Sequence, residues 1–290
     1  MRKMFVPRYP PIDPRGIEAL QEMLNSTEQL VVMTGAGCST ESGIPDYRSP
    51  GTGVYSDSKR APIDYRDFLA NPGARQRYWA RNFVGWPKVA AAKPNITHER
   101  LAEWEKSKRF LGLVTQNVDG LHTKAGSKKI IEIHGSSRTV ICLGCDYKVS
   151  RSELQEKMRI ANPSFVDELQ KPHRMRPDGD VELEDALVGG FKPPKCPKCN
   201  GILKPDVVFF GDSIPMERGA SVQDWLTQCD TFLVLGSSLF VNSGYRLVVD
   251  AESMGKKTAL VTIGEARGEH LFDLKLNAAC GPVVSQLSFD

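Results

Sequence analysis

Six short apolar runs recur along the chain: "QLVVMTGAG", "RFLGLVTQN", "KIIEIHG", "DVVFFGD", "TFLVLGSS" and "KTALVTIG". Continuous apolar runs of this length are the pattern of strands buried on both faces, as in a parallel sheet. Helical spacing marks the stretches "THERLAEWEKS", "MERGASVQDWLTQCD" and "SGYRLVVDAESMG" between several of them. Strands alternating with amphipathic helices predict an α/β fold, a parallel sheet with helices on both faces. Each run ends in small or polar residues, among them Gly35, Asn117, His134, Asp212, Gly236 and Gly264. Ligands of open parallel sheets bind beyond the carboxyl ends of the strands, so one cleft should collect these tips. Ahead of the first run, "IDPRGIEALQEMLNS" reads as a helix capped by Asp13, with Pro14 in its first position.

The region 138–203 breaks the alternation and carries Cys142-x-x-Cys145 and Cys196-x-x-Cys199. Two such knuckles suit a structural zinc ion held by four thiolates, which leaves no open position for a substrate. The region therefore reads as a small metal-stapled module, with 162–191 looping out between the pairs. That loop reads as a disordered excursion of the module. An odd total of seven cysteines fits a disulfide framework poorly and a reducing compartment well. A redox role for a CxxC pair is the alternative. Residues 56–94, rich in Arg and aromatics, look like a second, helical insertion. The remaining chain, 12–137 and 204–290, forms the main domain.

A net charge of +3 with scattered Lys and Arg gives no nucleic-acid surface, and no apolar run approaches bilayer length. The first residues, "MRKMFVPRYPP", are basic. They read as a disordered arm or as the tail of a transit peptide, though short and Pro-rich for an amphipathic targeting helix.

Residues 35–55, "GAGCSTESGIPDYRSPGTGVY", begin like a dinucleotide-binding loop but place Thr40 where G-x-G-x-x-G has its third glycine. With "TQNVDGLH", "EIHG", the two CxxC pairs, "LKPDVVFFGD" and "GSSL", this stretch resembles the sirtuins, NAD-dependent protein-lysine deacylases, over almost the whole chain. "RQRYWARNFVGWP" and "NVDGLHTKAGS" look most like the mitochondrial class II branch, and that likeness implies instead a 162–191 loop folded back over the acyl entrance. The resemblance implies a Rossmann-type domain with a small zinc domain, NAD as co-substrate, one structural Zn²⁺, acylated-lysine proteins as substrates and the mitochondrial matrix as location. It implies neither nucleic acid nor membrane as partner, and a monomer is expected.

Carried over position by position, the backbone of Gly35, Ala36 and Gly37 meets the pyrophosphate. Ser39, Thr40, Asp46, Tyr47, Arg48 and Tyr55 belong to the mobile cofactor loop, with Tyr47 near the reacting ribose and Arg48 near phosphate. Gln116 and the catalytic Asn117 orient that ribose, while Val118 and Asp119 line the nicotinamide pocket. Gly236, Ser237 and Ser238 face the adenosine side. Thr262, Ile263 and Gly264 lie at the next tip, and Cys280 is expected to contact adenine. The last run's contacts are the weakest part of the match, because many family members have Asn at Thr262 or Gly264. His134 is the candidate general base, since imidazole titrates near neutrality. It takes a proton through the ribose hydroxyls once nicotinamide has left, and acyl transfer to ADP-ribose follows.

Val208, Phe209 and Phe210 should flank the acyl-lysine peptide. Tyr78 and Arg81, three apart on one helix face, match a pair that reads a distal carboxylate in desuccinylating sirtuins. Carboxylated or branched acyl chains are therefore expected, with an internally paired Arg81 as the other reading. ADP-ribosyl transfer to protein, a zinc-bearing NAD dehydrogenase and a non-catalytic zinc module are the competing functions.

Overall fold

The computed structural model describes residues 5–49, 53, 62–173 and 179–290. Tyr55 and the start of the helical insertion lie outside these. In chain order the elements begin with helix α1 (Pro14–Asn25), strand β1 (Leu30–Thr34), a 3₁₀ turn (Ala36–Ser42), α2 (Tyr65–Ala70), α3 (Pro72–Ala91) and α4 (Ile96–Trp104). Next come β2 (Phe110–Thr115), α5 (Leu121–Ala125), β3 (Ile130–Glu132), β4 (Gly135–Cys142), β5 (Lys148–Ser150), α6 (Arg151–Ala161) and α7 (Asp185–Val188). The chain closes with β6 (Leu203–Val207), α8 (Met216–Gln228), β7 (Thr231–Leu235), α9 (Asn242–Ser253), β8 (Lys257–Thr262), β9 (Leu274–Asn277) and α10 (Cys280–Val284). As its sequence predicts, α1 starts at Asp13, whose carboxylate accepts the Arg15 N–H at 3.0 Å.

Six strands form one parallel sheet in the order β3-β2-β1-β7-β8-β9. β1 and β7 are buried at every position, which is why both read as unbroken apolar runs. From β1 the chain moves outward to β2 and β3, then returns to lay β7 on the other side of β1. That reversal opens a crevice between the two strands at their carboxyl ends, where open α/β sheets bind ligands.

The second sheet, β5-β4-β6, is antiparallel. The sequence placed "DVVFFGD" among the parallel strands; the structure instead pairs β6 with β4 and leaves 208–212 as a loop. An apolar run signals burial but not its partner strand. Here Leu203 and Phe209 face a separate core built from Phe68, Trp79, Phe83, Val140, Leu154 and Phe191. β4 begins one residue after His134, so the main sheet hands the chain to the small one directly at the catalytic candidate.

The described parts of 162–191 are built into this second core rather than excluded from it. Phe165, Val181, Leu183, Val188 and Phe191 are buried. Phe191 packs against Phe83 with ring centroids 5.6 Å apart, and burying such a ring contributes roughly 1.5–3 kcal/mol. A Cβ on Gly85 of α3 would stand 2.2 Å from the carbonyl oxygen of Gly179, so helix and segment meet at van der Waals distance.

Candidate active site

Three glycines join the tips of β1 and β7. Gly35 donates its N–H to Leu235 O at 2.9 Å, and Gly37 donates to Gly236 O at 2.8 Å. Added Cβ atoms on Gly35 and Gly37 would lie 2.7 and 2.8 Å from that same Gly236 oxygen. Gly236 itself adopts φ 64°, which favours glycine. The loop then turns through 3₁₀ geometry rather than opening an α-helix. Gly43, at φ 84°, ends the turn by donating to Thr40 O at 3.1 Å.

The floor of the crevice is a closed polar network. Ser39 Oγ donates to Asp119 Oδ2 at 2.7 Å, and the Leu121 N–H reaches Asp119 Oδ1 at 2.9 Å. Burial nevertheless pushes the Asp119 carboxyl above its usual range. Asn117 Nδ2 donates to Gly35 O at 3.0 Å, tying the tip of β2 to the glycine loop. Gln116 Nε2 donates to Ser237 Oγ at 2.8 Å.

His134 stands between these elements. Its Nδ1 lies 2.9 Å from the carbonyl oxygen of Gln116, and its Nε2 lies 2.7 Å from Ser243 Oγ. A carbonyl only accepts, so Nδ1 carries the hydrogen and Nε2 holds the lone pair. Burial lowers the ring's pKa, opposed in part by the Gln116 carbonyl, and the imidazole is neutral at neutral pH. The next residue, Gly135, takes φ 81°, and a Cβ there would collide with Asp206 O. The glycine lets β4 leave the ring close beside β6.

Around this ring lies a cleft of 1630 Å³. All the residues expected at the NAD site line it except Tyr55, which lies outside the described residues. Val208, Phe209, Phe210 and Tyr78 line it as well. Phe210 and Phe240 are exposed at its mouth, and the Arg48 guanidinium sits 5.1 Å from the Phe240 ring. The Asp46 carboxylate turns back on its own loop, accepting the N–H groups of Arg48 and Ser49. Cys280 is buried at the start of α10, with its Sγ 3.7 Å from Cys38 Sγ.

Arg81 is not among the lining residues. It points toward Asp185 of α7, at 3.9 Å, so the carboxylate-reading position expected from the sequence is occupied by a contact with the inserted segment. Two contributors lie in stretches that the sequence marks, but in roles it does not assign. Ser243 sits inconspicuously at the start of a helix. Glu41 Oε2 accepts the Gly281 N–H at 2.9 Å and fastens the loop to α10.

Away from the cleft, the sulfurs of Cys142, Cys145, Cys196 and Cys199 lie within 4.8 Å of one another. Two separations are 3.4 and 3.6 Å, near the ~3.8 Å edge of a tetrahedron with Zn–S bonds of about 2.3 Å. Gly201 is needed beside them, since a Cβ would come within 3.0 Å of Cys199 Sγ. The donor set fits a closed structural zinc site.

The model of the Sir2 family matches residues 35–243. The chain belongs to the Sir2 family. This sirtuin is 46% identical over 286 residues to the NAD-dependent protein deacylase Sirt4 of Drosophila melanogaster, covering 99% of this chain and 91% of that one. It is also 46% identical over 281 residues to the NAD-dependent protein lipoamidase sirtuin-4, mitochondrial, of Homo sapiens, covering 97% and 88%. Among solved structures, the sirtuin matches Sir2 with a p53 peptide and NAD⁺ at a TM-score of 0.71 and 29% identity, covering 93% of this chain and 96% of the other. Sir2 bound to acetylated peptide matches at a TM-score of 0.70 and 27% identity, with the same coverage.

Proposed function

We propose that this sirtuin is an NAD-dependent protein-lysine deacylase in which His134 is the general base. The supporting observation is the placement of its Nε2 lone pair in the cleft that the glycine loop and the tips of β1, β2, β7 and β8 share. The loop glycines admit the pyrophosphate to the backbone, and Asn117, fixed through Gly35, orients the ribose. Asp119 and Val118 take the carboxamide of nicotinamide. Val208 and Phe209 flank the lysine side chain, and the backbone on either side of the cleft mouth pairs with the peptide. Nicotinamide is lost to the attack of the acyl oxygen at the ribose C1′. His134 then accepts a ribose proton so that the freed ribose oxygen attacks the acyl-derived carbon, and water completes the release of lysine and O-acyl-ADP-ribose. Zn²⁺ on the four cysteines supplies folding free energy and no chemistry.

For the acyl group, the wall is aromatic: Tyr78 lies 5.1 Å from Phe209 and 5.5 Å from Phe68, centroid to centroid. Such a wall suits an extended or branched chain, lipoyl included, in keeping with the lipoamidase activity for which the human relative is named. Carboxylated chains are the second reading, resting on Arg81, one helical turn from the cleft-lining Tyr78 though outside the lining itself, whose 3.9 Å contact with Asp185 is long. The site of action proposed is the mitochondrion, after that relative.

The test is an acyl-peptide panel with NAD, following nicotinamide release and the fate of the acyl group by mass spectrometry. O-acyl-ADP-ribose and bare lysine are expected, and both disappear in His134→Ala and His134→Tyr while fold and zinc content persist. ADP-ribose attached to protein, or reduced cofactor, would overturn the reading, as would full turnover by either variant.

A further inference from the structure

The general base has a second partner in a role that nothing in the sequence assigns. Ser243 Oγ lies 2.7 Å from His134 Nε2, in the first turn of α9, and lines the same cleft. Its hydroxyl is both donor and acceptor, and it rotates about the Cβ–Oγ bond. The opposite face of the ring is spoken for by the Gln116 carbonyl.

Resting on the deacylase reading above, we propose that Ser243 is a positioning residue for the base: it donates to neutral Nε2 before reaction and accepts from Nε2–H once the ring has taken the ribose proton. A base enclosed by protein has to become a cation during turnover, and burial opposes that cation. Two fixed acceptors, the Gln116 carbonyl on Nδ1–H and the Ser243 oxygen on Nε2–H, stand in for the missing water. The balance of the step is simple. The Ser243 O–H first rotates off the single Nε2 lone pair. One ribose O–H bond then breaks, its electron pair stays on oxygen for attack on the acyl-derived carbon, and the proton forms the new N–H bond at Nε2. Ser243 neither gains nor loses a proton overall.

The sign of the effect on the ring follows from bond strength. A hydrogen bond to an ionised partner is roughly twice as strong as one between neutral groups. Removing the hydroxyl therefore harms imidazolium more than imidazole, and the ring should give up its proton at lower pH. Charged groups on the neighbouring elements are Asp119 after β2, Glu132 on β3, Arg138 on β4, Lys204 and Asp206 on β6, Glu217, Arg218 and Asp224 on α8, and Arg246, Asp250 and Glu252 on α9. Ser243→Ala and Ser243→Thr leave all of them in place.

The experiment compares wild type, Ser243→Ala and Ser243→Thr with NAD and an acyl-lysine peptide. Exchange of labelled nicotinamide into NAD reads the step before the base acts, and product formation reads the step after. Ser243→Ala should lower deacylation kcat about tenfold, the scale of one charge-assisted hydrogen bond, with exchange and KM for NAD within about twofold. The acid limb of its kcat/KM profile should move down by about half a pH unit or more, and the His134 ring, titrated by NMR in the free protein, should move the same way. Ser243→Thr should restore at least half of the lost rate. Equal loss of exchange and deacylation, an unmoved titration, or no rescue by Thr would overturn the assignment. Absence of exchange in the wild type would instead overturn the deacylase reading, and this assignment with it.

Discussion

Gly37 donates its backbone N–H to the carbonyl oxygen of Gly236 at 2.8 Å, and neither residue has room for a side chain toward the other. The contact sets the width of the crevice between β1 and β7. Gly37→Ala should force the two tips apart at a cost of roughly 1–3 kcal/mol and weaken NAD binding at least tenfold. Calorimetric titration with NAD and thermal unfolding check both parts; wild-type affinity would show that the loop tolerates a methyl there.

The four-cysteine cluster should hold one zinc ion per chain. Stripping it, by chelation at mild heat or by Cys142→Ser, removes a term on the order of 10 kcal/mol from the small sheet. Trp79 is a built-in reporter, because its Nε1 donates to Leu203 O at 3.2 Å across that core. Tryptophan emission should shift to the red as zinc is released, and deacylation should fall with it. Four thiols that react freely in the folded protein, with no metal released, would contradict the assignment.

Asp185 is 73% exposed at its side chain, whereas Arg81 is 15% exposed. A pair this lopsided adds less than about 1 kcal/mol to stability. Asp185→Asn should therefore leave the melting temperature within about 2 °C, yet raise kcat/KM for carboxylated acyl-peptides severalfold by giving up its hold on Arg81. Unchanged ranking across the acyl panel would remove Arg81 from acyl selection.

Beneath the cofactor loop, His98 and His122 pack against each other with tilted rings whose centroids lie 4.5 Å apart. Burial depresses both, His98 to about 4. In the unfolded chain each takes up a proton near pH 6.5, and in the folded protein neither does until the pH is far lower. Stability present at neutral pH is therefore lost as pH falls from about 6.5 toward 4, by roughly 3 kcal/mol for His98 alone. Urea unfolding at pH 7.5 and pH 5 measures the loss, and His98→Gln should shrink it.

Much of this was legible in the residues themselves. β1, β7 and β8 announce their burial because both faces are covered, and the paired CxxC spacing leaves few alternatives to a closed metal site. The elements that escaped notice share a physical reason. β9 reads "LKLN", an edge strand whose exposed positions carry polar side chains, so no apolar run marks it. The run "DVVFFGD" resembles the parallel strands in its letters, yet most of it is the loop after β6, whose own residues "LKPDV" break the apolar pattern with Lys204, Pro205 and Asp206. Ser243 is a common residue whose role depends on a ring more than a hundred positions away, and no local pattern encodes that.

The close fit between Gly85 and Gly179 bears on how this enzyme can be shortened. A stretch that resembles a removable decoration is the far wall of the room in which Phe83 and Phe191 sit, and it carries the acid that reaches Arg81. Cutting it back to a tight turn would expose the aromatic surface around Phe83, and the trimmed protein should aggregate before its chemistry could be compared with that of the parent.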